Sequence, residues 1–346
     1  MAISRRDGAL FRLDHVPSVG CMEGDRSMKI VALDGITLNP GDNPWTPIEK
    51  LGDLTVYDST TPDKVVPRSA EADILLTNKV VLGRSAIDQL PNLKFIAVTA
   101  TGFNVVDLEA TRKRRIPVVN VPVYGTDAVA QHVFAMLLAF IHRPEAHSQA
   151  VANGKWMASE QFSFWLQPVT ELKGKTFGTV GWGRIGKATA AIAKAFGMRV
   201  VASSRREADA PSWSDFQWMK LDQLCQEADV VSLHCPLTGD NEGMVDTNFL
   251  KRMKTNAILI NTARGGLVNE SDLVTALAEK QIAGALLDVV SSEPMPDDHP
   301  LRSVENCLVT PHMAWTTVEA RRRLMELTAN NIQAFIDGWP TNVVNN

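Results

Sequence analysis

From Lys29 onward the chain alternates short β-branched and aliphatic runs with stretches of helix length. Candidate strands fall at Ile30 to Leu33, Leu54 to Tyr57, Asp73 to Leu76, Phe95 to Thr99 and Val118 to Val121. Strands separated in this way argue for a parallel sheet, because parallel neighbours need a long crossover between them. Pro40-Gly41, Pro62, Pro91 and Pro117 punctuate the joins. After Asp127 the run AVAQHVFAMLLAFIH is apolar nearly all round, which marks a helix buried on most sides and suits a link between two domains. Its two histidines, His132 and His142, read as partly buried helix residues and not as ligands. A second series of strands follows at Thr176 to Val180, Arg199 to Ala202, Val230 to His234, Ala257 to Asn261, Ala283 to Val289 and Cys307 to Thr310, and six is the doubly wound count. Val318 to Gly338 carries an apolar stripe at Leu324, Leu327, Ile332 and Phe335 and stops at Asp-Gly-Trp-Pro, as a terminal helix would. Between the two series, Trp156 to Leu172 holds Trp156, Phe162, Phe164, Trp165 and Pro168. Two readings stand for it, a cover over the core and an oligomer contact.

The length of 346 residues fits about two domains. Lys and Arg number 35 against 39 Asp and Glu, a formal charge of −4, which offers no basic field for a nucleic-acid partner. The longest clean apolar run, Val133 to Ile141, is far below the ~18 residues of a membrane span, so the chain is expected to be soluble with no membrane partner. Cys21, Cys225, Cys235 and Cys307 form no metal-ligand spacing and read as free thiols of a reducing, cytoplasmic compartment. Residues 1–27 contain Arg5, Arg6 and Arg12 but no apolar stretch of a secretory signal. They read as an N-terminal extension, either disordered or preceding a true start at Met28.

Gly181-Trp182-Gly183-Arg184-Ile185-Gly186 follows the strand Thr176 to Val180 directly and precedes a helix read over Lys187 to Phe196. In that setting the first glycine of GxGxxG allows the tight turn, the second admits a pyrophosphate to the backbone, and the third permits close helix packing. The helix start adds unpaired N–H groups for the anion. The residue that reads the adenosine ribose is expected at the end of the next strand, where Ser203-Ser204-Arg205-Arg206 contains no carboxylate. Ser204 and Arg205 favour a 2′-phosphate and tip the balance to NADP(H) or dual use; NAD(H) with two solvated arginines is the other reading.

Three further segments end strands of the second series: Asn261-Thr262-Ala263-Arg264-Gly265-Gly266, Asp288 to Pro294, and Thr310-Pro311-His312-Met313-Ala314-Trp315. Strand carboxyl ends face the ligand crevice in an open α/β sheet, so Arg264, Glu293 and His312 are expected to converge there. The set suits reduction of a 2-oxo acid. Arg264 can hold a carboxylate and a carbonyl oxygen with its planar fork. His312 can deliver a proton, and Glu293 can orient the imidazole.

GWGRIG, HCPLT at His234 to Thr238, INTARGG, LDV followed by EP, and TPHMAW, in this order, resemble the D-isomer-specific 2-hydroxyacid dehydrogenases. The match runs from about Met28 to the C-terminus. The resemblance implies an α/β fold of two doubly wound parallel-sheet domains: a flavodoxin-like substrate domain over 28–122 and 317–346, and a Rossmann cofactor domain over 123–316. It implies Arg264, Glu293 and His312 as the catalytic set. For the cofactor, NAD(P)(H), it implies Gly181, Gly183, Arg184, Ile185, Gly186, Ser204, Arg205, His234, Pro236, Thr262, Ala263, Arg264 and Asp288, the last holding the nicotinamide carboxamide. Thr101 and Gly102, in the turn Ala100 to Asn104, join Arg264 and His312 as substrate-binding residues. ATGFNVVD, VPVYGTDAVAQH and GWPTNVV are most similar to bacterial glycerate dehydrogenases, also called hydroxypyruvate reductases, and no regulatory domain is expected after Gly338. The resemblance also implies a homodimer through the cofactor domain. Glyoxylate or another 2-oxo acid remains an alternative substrate. A dinucleotide-sensing protein resembling the C-terminal-binding corepressors is the alternative of another class.

Overall fold

In the computed structural model, which describes residues 27–346, the chain divides into two units. One joins residues up to Tyr124 with Val318–Asn346, and the other is Gly125–Thr317. Of the extension read over 1–27, all but residue 27 lies outside the described residues, as does Cys21.

The first unit is a parallel sheet of β1 (Lys29–Ala32), β2 (Asp53–Val56), β3 (Ile74–Thr77), β4 (Phe95–Val98) and β5 (Val118–Val119), in the order β2-β1-β3-β4-β5. That is the flavodoxin-like order. β3 (ILLT) and β4 (FIAV) are buried at every position, as strands covered on both faces are, whereas the edge strand β2 alternates exposed and half-buried residues. The C-terminal helix Val318–Ile336 returns to this unit and buries Leu324, Met325, Ile332 and Phe335. Phe335 stacks on Phe95 of β4 with ring centroids 4.4 Å apart, an aromatic pair contributing about 0.5–1.5 kcal/mol beyond its buried area. Gly338 ends the helix at φ +84°, donating its N–H to the Phe335 carbonyl, while the Trp339 N–H reaches Ala334. Near the chain end Asn345 Oδ1 accepts from the Val118 N–H at 2.9 Å and Nδ2 donates to the Ile116 carbonyl at 2.8 Å. The last residues are thereby stitched to β5, so chain segments more than 200 residues apart build one unit.

The second unit is a parallel sheet of β6 (Thr176–Val180), β7 (Arg199–Ser203), β8 (Gln217–Trp218), β9 (Val230–Leu233), β10 (Ile258–Asn261), β11 (Gly284–Leu287) and β12 (Cys307–Val309). Its order is β12-β11-β10-β9-β6-β7-β8, seven strands where the sequence reads six. The extra strand, β8, pairs only two residues with β7 at the sheet edge, too few to leave an alternating pattern in the sequence. β6 lies between β7 and β9. The chain leaves β6 to one side and later crosses to the other, which opens a crevice at the carboxyl ends of β6 and β9.

The helix Thr126–His142 opens this unit and buries Val133, Phe134, Met136, Leu137 and Ile141, with Phe134 stacked on Phe177 of β6. Residues 153–175 form neither helix nor strand, and within them Trp156, Phe162 and Trp165 are exposed, Phe162 to 92%. Among the described residues no helix is long and apolar enough to cross a membrane.

Candidate active site

The glycine-rich loop occupies the crevice position. Gly181 follows β6 at φ +101°, and a Cβ there would stand 2.7 Å from backbone atoms of His234 and Cys235. Only glycine meets both demands. A Cβ on Gly186 would stand 2.3 Å from the Gly181 carbonyl oxygen, so the third glycine serves helix-to-strand packing. Gly183 differs, because a Cβ there would meet nothing within 4 Å. Nothing in the protein requires glycine at this position, whereas a pyrophosphate resting on the backbone would. The helix begins at Arg184, three residues earlier than the sequence reading, so Arg184, Ile185 and Gly186 form its first turn. Their orphan N–H groups and the helix dipole then face the loop.

The loop after β7 carries a half-buried Ser204 and an exposed Arg205. The Trp182 indole, packed against Phe216 and Trp218, donates to the Asp209 carbonyl at 3.1 Å and pins this loop. The Asp209 carboxylate is paired with Lys187 at 2.8 Å, and that ammonium holds it below the usual carboxylate range. His234 directly follows β9 with Nε2 2.9 Å from Ser232 Oγ, and burial pushes its pKa down to about 4, so the ring is neutral at neutral pH. Pro236 is exposed beside it, its carbonyl accepting from Asn241 Nδ2. After β10, Asn261 Oδ1 accepts from the Ala263 N–H and Nδ2 donates to the Arg264 carbonyl, stapling the turn. Thr262 Oγ1 in that turn is buried without a hydrogen-bond partner. A buried hydroxyl costs free energy unless it is satisfied. The open face of Gly183 and the orphan Thr262 hydroxyl thus both fit a bound dinucleotide.

The strand-end motifs converge because β10, β11 and β12 are adjacent and in register. Asn261 pairs with Leu287, and Leu287 with Val309. The segments after them, bearing Arg264, Glu293 and His312, therefore leave the sheet side by side. His312 Nδ1 lies 2.6 Å from Glu293 Oε2. With Nδ1–H donated to the carboxylate, Nε2 is left to exchange a proton with a substrate. Glu293 Oε1 accepts from the Val290 N–H at 3.2 Å. Arg264 is exposed, with Nη1 on the carbonyl of Ala263. His312 adopts φ +52°, a left-handed conformation that costs a non-glycine residue about 1–3 kcal/mol. Thr101 and Gly102 belong to the other unit. They follow β4, where Thr101 Oγ1 donates to the Val121 carbonyl at 3.0 Å and Asn120 Nδ2 donates to the Thr101 carbonyl at 2.7 Å.

The D-isomer specific 2-hydroxyacid dehydrogenase NAD-binding domain model matches residues 134–314. A hydroxypyruvate reductase of Blautia hydrogenotrophica is 44% identical over 92% of this chain and 100% of its own. The chain belongs to the D-isomer-specific 2-hydroxyacid dehydrogenase family. A glycerate dehydrogenase of Methylorubrum extorquens is 40% identical over 83% of this chain and 90% of its own. The solved NADPH-dependent glyoxylate/hydroxypyruvate reductase of Sinorhizobium meliloti, in complex with NADP and malonate, superposes with a TM-score of 0.76 at 25% identity, covering 92% of this chain and 97% of the other. This dehydrogenase is accordingly an oxidoreductase that uses a nicotinamide dinucleotide and acts on small 2-hydroxy or 2-oxo acids.

In this dehydrogenase the strained His312 turn is held by Asp288, a contact that sequence reasoning missed. Asp288 is only 1% exposed, and its carboxylate accepts from the N–H groups of Met313 and Ala314 and from Thr310 Oγ1. His132 Nε2 completes the cluster, 3.1 Å from Thr310 Oγ1 and 3.5 Å from Asp288. Burial works to raise the Asp288 pKa, but these hydrogen bonds together hold it below its ordinary value. Hydrogen bonds to a charged group contribute about 1.5–3 kcal/mol each, enough to offset the strain at His312. A carboxylate has roughly four acceptor sites, so any contact with a carboxamide would share Asp288 with this turn. His132 reads as an ordinary helix residue in the sequence because its partners lie more than 150 residues away.

Proposed function

We propose that this dehydrogenase interconverts hydroxypyruvate and D-glycerate. The observation that carries the reaction type is the 2.6 Å His312–Glu293 contact at the end of a dinucleotide-type sheet, with Arg264 on the segment that leaves the adjacent strand. The substrate choice is supported by the similarity to the hydroxypyruvate reductase and glycerate dehydrogenase. When bound, the nicotinamide supplies the hydride received by the substrate C2. Arg264 holds the substrate carboxylate and carbonyl oxygen through its fork, which fixes the face presented for reduction. His312 Nε2 delivers the proton to the carbonyl oxygen, and Glu293 orients the imidazole through Nδ1. Glyoxylate is the second reading, favoured by the wording of the Sinorhizobium relative's name.

NADP(H) is the preferred cofactor on this reading. Ser204 and Arg205 present a hydroxyl and a cation where a 2′-phosphate would lie, and the Asp209 carboxylate of the same loop is paired with Lys187. In an assay of hydroxypyruvate, glyoxylate and pyruvate with NADH or NADPH, the fastest oxidation is expected for hydroxypyruvate with NADPH. Arg205→Ala should raise KM for NADPH more than for NADH. A faster rate with glyoxylate would move the substrate, and an NADH preference untouched by Arg205→Ala would overturn the cofactor assignment.

The same reading makes the protein a homodimer through its cofactor unit. The exposed Trp156, Phe162 and Trp165, and an apolar groove lined by Phe134, Leu138, Ile192 and Phe196, offer surface of the kind an interface buries. Light scattering should return twice the 37.9 kDa chain mass, and the monomer mass would refute the assembly.

A further inference from the structure

The loop that carries Glu293 is exposed at Ser291–Pro294 and again at 296–298, and Met295 is its one side chain packed on the core. Both ends of this loop converge on a single carboxylate outside it. Glu270, in the first turn of the helix Glu270–Ala278, accepts from the Ser291 N–H at 2.7 Å with Oε1. With Oε2 it accepts from Ser291 Oγ at 2.6 Å and contacts His299 Nε2 at 3.1 Å. His299 Nδ1 accepts from the Leu301 N–H, which leaves Nε2 as the donor to Glu270. Both clamp partners are well covered, with 13% of the Glu270 side chain and 8% of that of His299 exposed. The neighbouring loop touches the same point, because a Cβ on Gly265 would overlap the Val290 carbonyl carbon and oxygen at 2.0 Å. The Arg264 turn and the Glu293 loop are thus in contact beside the clamp.

We propose that Glu270 is a positioning residue for proton transfer, its carboxylate fastening Ser291 and His299 so that Glu293 reaches His312. This rests on the acid–base reading of Glu293 and His312 given above. Three donors meet one carboxylate, and an amide in its place has one acceptor oxygen and an NH₂ group that would face a donor. Freed at both ends, the loop samples more conformations, and the Glu293–His312 contact is populated less often.

The test is a double-mutant cycle on the full chain, with kcat, KM for hydroxypyruvate and dinucleotide Kd measured for Glu270→Gln, Glu293→Gln and the pair. Glu270→Gln is expected to lower kcat roughly tenfold or more, the scale of a modest misplacement, with dinucleotide Kd unchanged. In the Glu293→Gln background the same replacement should change kcat by less than about twofold, because it then has no positioned group to lose. Equal fold-losses in both backgrounds, or no loss in the first, would overturn the clamp. If Glu293→Gln itself leaves kcat unchanged, the acid–base reading falls and the clamp with it; if only Glu270→Gln is silent, the clamp alone falls. Should Glu270→Gln fold poorly, Ser291→Ala removes one of the three donors. Its smaller kcat loss should show the same non-additivity with Glu293→Gln and should be largely restored in Ser291→Thr, which keeps the hydroxyl. Additive losses, or none, would count against the proposal.

Discussion

His312→Ala is expected to lower kcat for hydroxypyruvate by about 10²–10⁴-fold, the range of a positioned general acid. Dinucleotide affinity should stay within twofold of the parent, because no part of the phosphate loop or the Thr262 turn rests on the imidazole. The imidazole is held at Nδ1 by Glu293 and its backbone by Asp288 through Met313 and Ala314, so the variant removes the proton donor and leaves its scaffold. Cofactor fluorescence titration alongside steady-state assays separates the two effects. Undiminished turnover would remove His312 from the chemistry.

Arg264→Lys keeps the charge and loses the fork. The ammonium is a single point of charge and cannot bridge a carboxylate oxygen and a carbonyl oxygen in one plane, so substrate holding and transition-state stabilisation should fall together. A loss in kcat/KM of about 10²-fold or more is expected, divided between a raised KM and a lowered kcat. The turn itself should survive, because Asn261 staples it through backbone groups at Ala263 and Arg264 that the substitution leaves alone. A change confined to KM would make Arg264 a binding residue only, and parental values for both constants would remove it from the site.

The residues that need only their neighbours in the chain were readable from the sequence. A tight turn after β6 demands Gly181, and a pyrophosphate demands an open Gly183, so the loop declares itself in six letters. The buried strands declare themselves as apolar runs, because a sheet covered on both faces leaves no polar position. β8 escaped because two residues at an edge carry no period. Asp288, His132 and Glu270 escaped as supports of the site for a different reason: each acts on a partner at least 21 residues away, and no local pattern marks such a pair.

The sequence by itself determined the strands, the dinucleotide loop and the chemical identity of Arg264, Glu293 and His312. These depend on local conformational preference and on side-chain type. The tertiary structure alone decided that His312 meets Glu293 and that the Arg264 segment leaves the sheet beside theirs, through the Asn261–Leu287–Val309 register. It also decided what holds them, a buried carboxylate under His312 and a second one fastening the Glu293 loop, because hydrogen bonding across long chain separations follows from packing and leaves no trace in local order.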